Sequence, residues 1–262
     1  MKDAWGRTIE YVRLSLTDAC NFCCPYCRPA EITPQSQHQL LSVDEWMTIL
    51  GAFHQVGVKA VRLTGGEPLL YPHIEELLAR IKQTGWFEDI SMTTNGSLLA
   101  LRAKKLKELG LNRVNISLDS LDSDAFALCV GKANQLDSVL SGIQSAIDAG
   151  FTSVKINTVL SRHWTDDEVR ALLTYVETWP VIWRFIEYMP FQGDAFHGPT
   201  FDEWKAQLER VSGGILTENH GVYGFGPATY YNLPSGKEIG FIFSMSHSYC
   251  DTCNRVRLTS DG

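Results

Sequence analysis

Six short apolar, β-branched runs, at residues 11–16, 59–63, 89–93, 113–118, 153–159 and 182–188, alternate with stretches patterned for helices. That alternation constrains the fold most, because strands separated by helix-length segments pair in parallel and need both faces covered. The helical stretches carry their own start signals: Ser42 with Glu45 and Thr165 with Glu168 form capping boxes. The spacing predicts helices from Ser42 to near Gly57, from Pro72 to Gly85, and over 99–110, 134–150 and 165–178. Six βα units are too few for a complete eight-fold barrel. The expected fold class is therefore α/β, a partial (β/α)6 TIM-like barrel over residues 1–190, with a flat doubly wound sheet as the alternative.

The pattern changes after about residue 190. A loop is expected over 190–199 and a helix over 201–211. Strand-like runs at 228–233 and 238–244 flank Pro234-Ser235-Gly236-Lys237, a hairpin turn signal. Residues 191–262 thus read as a small α+β C-terminal extension that covers one opening of the barrel. At 262 residues the chain suits one large domain, or one domain with an appendage.

No apolar run reaches 18 residues and no signal-type segment follows Met1, so no membrane span is expected and the expected location is cytoplasmic. A net charge of −7 argues against a nucleic-acid coat or a polybasic membrane binder. An anionic small substrate is compatible with it, since a site needs only a few local cations. Arg13, Arg62, Lys155, Arg255 and Arg257 are the candidates, because Arg forks match phosphate oxygens and Lys acts as a point charge. Arg13 and Lys155 fall within strand runs, where a buried cation is costly unless it meets an anion. Glu187 follows the same logic without an assigned role. Arg7, Arg102 and Lys104 read as solvated surface, and Trp5, Trp46, Trp164, Trp179, Trp183 and Trp204 as scattered core packing.

Six of the seven cysteines fall in two tight groups: Cys20, Cys23, Cys24 and Cys27 near one end, and Cys250 and Cys253 near the other. An odd total without a secretion signal argues against a disulfide framework and for metal or iron–sulfur ligation. Cys20, Cys24 and Cys27 follow a C-x3-C-x2-C spacing that can wrap one corner of a cubane cluster. A zinc site is the alternative, with Cys23 as a fourth ligand, although adjacent Cys23 and Cys24 point apart. Cys23 is otherwise a packed or partly exposed thiol, and Cys129 a buried one. Cys250 and Cys253 alone read as a redox-labile pair, or as zinc ligands with His247 or His220.

The C-x3-C-x2-C loop, with Tyr26 before its last cysteine and Gly65-Gly66-Glu67-Pro68 after the second strand, resembles the radical S-adenosylmethionine (SAM) superfamily. Longer blocks narrow the likeness: Arg13–Phe22, Arg62–Pro68, Thr93-Thr94-Asn95-Gly96, Asn115–Leu121, Val154-Lys155-Ile156-Asn157, Arg184–Pro190 and Cys250–Thr259 resemble the MoaA family of GTP 3′,8-cyclases of molybdenum cofactor biosynthesis. That resemblance implies a partial barrel of the radical SAM type and a [4Fe–4S] cluster on Cys20, Cys24 and Cys27. It implies SAM contacts from Tyr26, Gly66, Glu67, Ser117 and Met189, and GTP contacts from Thr93 and the five cations. It implies a second [4Fe–4S] cluster on Cys250 and Cys253, whose third cysteine falls beyond Gly262, so that a shortened or divergent C-terminus is expected. The implied chemistry is reductive cleavage of SAM, removal of the C3′ hydrogen of GTP and attack of that carbon on C8. GTP and a reductase, flavodoxin or ferredoxin electron donor are the implied partners, with a possible homodimer. Two rivals stand beside this reading: a radical SAM enzyme for another substrate such as a peptide, and a nonenzymatic zinc-ribbon or redox scaffold.

Overall fold

A computed structural model describes residues 2–27, 40–190, 198–221 and 223–262 of the chain. Six parallel strands form in chain order: β1 (Tyr11–Ser15), β2 (Ala60–Thr64), β3 (Asp89–Thr94), β4 (Arg113–Ser117), β5 (Ser153–Val159) and β6 (Ile182–Ile186). Between them run helices α1 (Val43–Gln55), α2 (Ile74–Thr84), α3 (Ala103–Glu108), α4 (Ser123–Val130), α5 (Leu136–Asp148) and α6 (Asp166–Thr178). This is the expected partial barrel. Both capping boxes form, with the Ser42 and Thr165 hydroxyls accepting from the Glu45 and Glu168 amides. Helix α1 buries Val43, Trp46, Met47 and Leu50, a stripe at helical spacing. Each such side chain contributes roughly 1.5–3 kcal/mol on leaving water.

The C-terminal segment does more than cover an opening. It forms α7 (Phe201–Ser212), β7 (Thr217–Asn219), β8 (Thr229–Asn232), β9 (Glu238–Ile242) and β10 (Arg255–Leu258). The sheet order is β10-β1-β2-β3-β4-β5-β6-β9-β8-β7, so the segment contributes strands at both edges. An open barrel leaves unpaired backbone on its first and last strands. Here β9 pairs parallel with β6, and β10 pairs parallel with β1. The β8–β9 hairpin forms around the predicted turn.

Several expectations need correction. The stretch 99–110 is helical only over Ala103–Glu108, and Leu101 in the preceding turns is 98 % exposed. Helix α2 begins two residues past Pro72, with His73 at its N-cap. Helix α4 was not foreseen. Trp46, Trp183 and Trp204 are fully buried, but Trp5 is 82 % exposed on an N-terminal turn. Most of the loop expected over 190–199 lies outside the described residues.

Candidate active site

The last residue of each of the six parallel strands lines one cavity of about 520 Å3. Parallel α/β folds place ligands at this end of the sheet. The same cavity is lined by Cys20, Cys24 and Cys27, by Tyr26, Gly66, Ser117 and Met189, and by Arg13, Arg62, Thr93, Arg255 and Arg257. Glu67, Lys155 and Cys250 do not line it. Cys253 lines an adjoining pocket of about 310 Å3 together with Arg255.

The first cysteine loop is held by backbone. Gly66 and Glu67 donate to the Thr17 and Ala19 carbonyls at 2.6 and 2.8 Å. Both glycines of the Gly65-Gly66 pair are required by this approach. A Cβ on Gly65 would lie 2.5 Å from the Thr17 carbonyl, and one on Gly66 would lie 2.2 Å from that of Ala19. Glu67 is buried, and its carboxylate accepts from the Thr94 hydroxyl, the Asn95 amide and the Leu69 amide at 2.7, 2.7 and 3.0 Å. Its side chain therefore ties the end of β3 to the turn at Gly65–Pro68. Asn95 in turn holds Asn21 at 2.8 Å, and Cys23 donates through its amide to Val130 at the end of α4. The Cys23 side chain is exposed.

The donor set fits a cubane. Among the described residues no three His, Cys, Asp or Glu side chains converge as ligands of one metal ion. Zinc needs such convergence at about 2.0–2.3 Å, whereas a four-iron cluster takes each thiolate on a different iron. Burial pushes the Cys24 thiol up to about 12, with the charges of Asp119 and Cys27 adding to it. A thiol in such surroundings ionises readily only when a metal replaces its proton.

Cations dominate the other side of the cavity. Strand register sets Arg257, Arg13 and Arg62 abreast on β10, β1 and β2. Adjacent strands are about 4.8 Å apart, so the row crowds like charges. Burial, then the charges of Arg62, Arg257 and Arg255, push Arg13 down to about 10. Arg184, a further cation within a strand run, is fully enclosed on β6 and pushed down to about 10 by burial. It donates to Asn157 and Asn115 at 2.7 and 2.8 Å. None of these five arginines (Arg13, Arg62, Arg184, Arg255 and Arg257) forms an ion pair among the described residues. Arg13 Nε and Thr93 Oγ1 are buried without a hydrogen-bond partner. Orphaned polar atoms and unpaired guanidiniums facing one cavity fit a polyanion.

Lys155 belongs elsewhere. Its ammonium donates to the Tyr223 carbonyl and to the Tyr230 hydroxyl, so the C-terminal segment holds it below the cavity. Burial, with the charges of Arg184, Arg113 and Arg62, pushes Lys155 down to about 6.

Comparison with known families matches residues 14–176 to the Radical SAM superfamily and residues 181–262 to Molybdenum Cofactor Synthesis C. A GTP 3′,8-cyclase of Pelotomaculum thermopropionicum is 41% identical over 267 residues, covering 100% of this chain and 82% of the relative. The chain belongs to the radical SAM superfamily, in the GTP 3′,8-cyclase family. A second such cyclase, from Trichodesmium erythraeum, is 44% identical over 97% of this chain and 80% of its own length. Among solved structures, Streptococcus suis SuiB bound to S-adenosylmethionine superposes with a TM-score of 0.61 at 20% identity, covering 79% of this chain and 46% of that one. That likeness establishes the fold. Proteins of this superfamily work with a [4Fe–4S] cluster and SAM. No helix of the described residues is long and apolar enough to cross a membrane.

In this radical SAM protein the second cysteine pair has a different setting. Cys250 opens a short 3-10 turn, and Cys253 donates through its amide to the Cys250 carbonyl at 3.2 Å. Burial opposes ionisation of Cys253, but hydrogen bonding and charge from Arg255, with the charge of Arg7, hold its thiol below the usual range. Arg7 is thus not simply solvated. It pairs with Asp3 at 2.7 Å and donates to the Cys250 carbonyl at 2.6 Å. His247 packs on Phe201 at 5.0 Å and His220 pairs with Glu218 at 3.8 Å, which leaves the zinc alternative without support. Glu187 accepts from the Met245 and Ser246 amides at 2.6 and 3.0 Å, so it shapes the turn leading to Cys250.

Proposed function

We propose that this chain is a GTP 3′,8-cyclase of molybdenum cofactor biosynthesis. The observation that carries the reading is the row of unpaired guanidiniums opening on the cavity that Cys20, Cys24 and Cys27 also line. The names of the relatives support it. A peptide substrate would have little use for five such cations in one cavity, whereas a nucleoside triphosphate brings matching charge.

Cys20, Cys24 and Cys27 hold the first cluster, and Cys250 and Cys253 are two ligands of a second. Held there, the cluster and SAM would together supply radical chemistry directed at the ribose of GTP, with the electron drawn from the donor protein. The chain's own residues do the rest. Gly66, Ser117, Met189 and Tyr26 border the SAM side, and Arg13, Arg62, Arg257 and Thr93 anchor the phosphates. Arg255 stands between the cavity and Cys253 and orients the purine. Lys155, held by Tyr223 and Tyr230, packs beneath and steadies the C-terminal segment against the barrel. Substrate and SAM filling the cavity would keep water from a carbon radical, and fixed geometry supplies the rate. Residues 1–190 form the barrel and 191–262 the extension. An electron-donor protein, a homodimer and a cytoplasmic setting complete the proposal.

The test is anaerobic incubation of iron-loaded protein with SAM, GTP and a reductant, with product mass spectrometry. Formation of 5′-deoxyadenosine together with a GTP isomer supports the reading. SAM cleavage that ignores GTP contradicts it.

A further inference from the structure

Asp119 is fully enclosed, yet nothing in the reaction outlined above uses it. It lies two residues past the end of β4 and lines the same cavity. One carboxylate oxygen accepts from the Val159 amide at 2.8 Å, at the end of β5. The other accepts from the Tyr26 hydroxyl at 2.6 Å. Both partners donate, so the geometry is that of an ionised carboxylate. Tyr26 sits between two of the cluster cysteines in sequence. Next to Asp119, Ser120 contacts Arg162, and the Thr158 hydroxyl fixes the Leu118 carbonyl at 2.6 Å. The carboxylate is therefore mounted on rigid strand ends and reaches one residue of an irregular loop.

We infer that Asp119 is a positioning residue for the first iron–sulfur centre, acting through the Tyr26 hydroxyl, and that its buried negative charge keeps that centre hard to reduce. Two consequences are separable. The Tyr26–Asp119 hydrogen bond fixes the loop between Cys24 and Cys27, and with it the side of the cavity where SAM lies. Independently, a fixed anion in low dielectric disfavours an added electron nearby. Phenylalanine at position 26 would preserve ring packing but abolish the first effect alone. Asparagine at position 119 would keep an acceptor for Val159 and a partner for Tyr26 but abolish the second.

This inference rests on the reading that Cys20, Cys24 and Cys27 hold the cluster. Wild type, Asp119→Asn, Tyr26→Phe and the double variant are reconstituted anaerobically. Iron content, SAM dissociation constant and cluster midpoint potential by EPR-monitored titration are measured. The expected result is wild-type iron in all four, a midpoint shifted to higher potential in Asp119→Asn, and SAM binding weakened about tenfold in Tyr26→Phe with little change in potential. The effect of Tyr26→Phe on SAM should persist in the Asp119→Asn background, because asparagine still accepts from the Tyr26 hydroxyl and the two effects are separable. An unshifted or lowered midpoint in Asp119→Asn, or wild-type SAM affinity in Tyr26→Phe, overturns the inference while leaving the cluster assignment standing. A wild-type chain that takes up no iron removes the assignment itself, and the inference with it.

Discussion

The two cysteine groups have similar local spacing but different foundations. The loop at Cys20–Cys27 is tied to Thr64–Glu67, to Asn95, to Asp119 and to the end of α4 before any metal arrives. The pair at Cys250 and Cys253 sits on one short turn, held by Arg7, Arg255 and the amides around Glu187. The first is a preorganised corner, and the second depends on Arg7 and on Arg255, which also faces the substrate cavity. Rigidity follows from how many separate elements touch a segment, not from how its cysteines are spaced.

The largest effect that bears on this contrast is loss of a first-group thiolate. Cys20→Ala, Cys24→Ala and Cys27→Ala should each abolish SAM cleavage, while Cys23→Ala retains it. A requirement for Cys23 with one of the others dispensable would break the comparison. Next comes the backbone beneath that loop. Gly66→Ala places a Cβ against the Ala19 carbonyl, where only backbone can yield, and should strip most of the iron from the first centre. Iron content near wild type in that variant would mean the loop is not preorganised.

A smaller, ligand-specific effect belongs to the second group. Arg255→Ala should weaken GTP binding by roughly 1.5–3 kcal/mol, the scale of a hydrogen bond to a charged group, with SAM binding unchanged in calorimetry. Equal losses for both ligands would indicate general damage. The last effect concerns pH and fold stability rather than ligand binding. Lys155 titrates near 6 in the folded chain against an ordinary 10.5. Below about 6 it is charged in both states and its burial destabilises the fold in full. As pH rises from there toward 10.5 the unfolded chain holds the extra proton, so stability increases. Wild type should therefore gain stability relative to Lys155→Met across that window in thermal melts. A constant difference would place Lys155 in a solvated setting.

Local chemistry was legible in the sequence wherever the responsible residues were neighbours. The six strands begin and end within about two residues of the alternation that announces them. Capping boxes mark α1 and α6 because the box is four residues long. Helix α4 has only eight residues, too few for a period to stand out, although Asp122 and Gly131 cap it. Arg184 was within reach, since the rule applied to Arg13 and Lys155 covers any cation in a strand run. Partnerships across the fold were not. Tyr26 meets Asp119 from 93 residues away, and Lys155 meets Tyr230 from 75. Nor does the sequence show that the carboxylates of Glu67 and Glu187 accept from backbone amides far along the chain. Nor does composition reveal that β10 would pair with β1 and set Arg257 beside Arg13.

The central claim is that one cavity brings radical chemistry at Cys20, Cys24 and Cys27 to a triphosphate held by the arginine row. GTP deuterated at C3′ tests it most directly. Iron-loaded protein is incubated with SAM, reductant and the labelled nucleotide, and the 5′-deoxyadenosine is analysed by mass spectrometry. The account predicts one deuterium in the 5′-deoxyadenosine, together with cyclised nucleotide. Unlabelled 5′-deoxyadenosine formed at the same rate with and without GTP would contradict it.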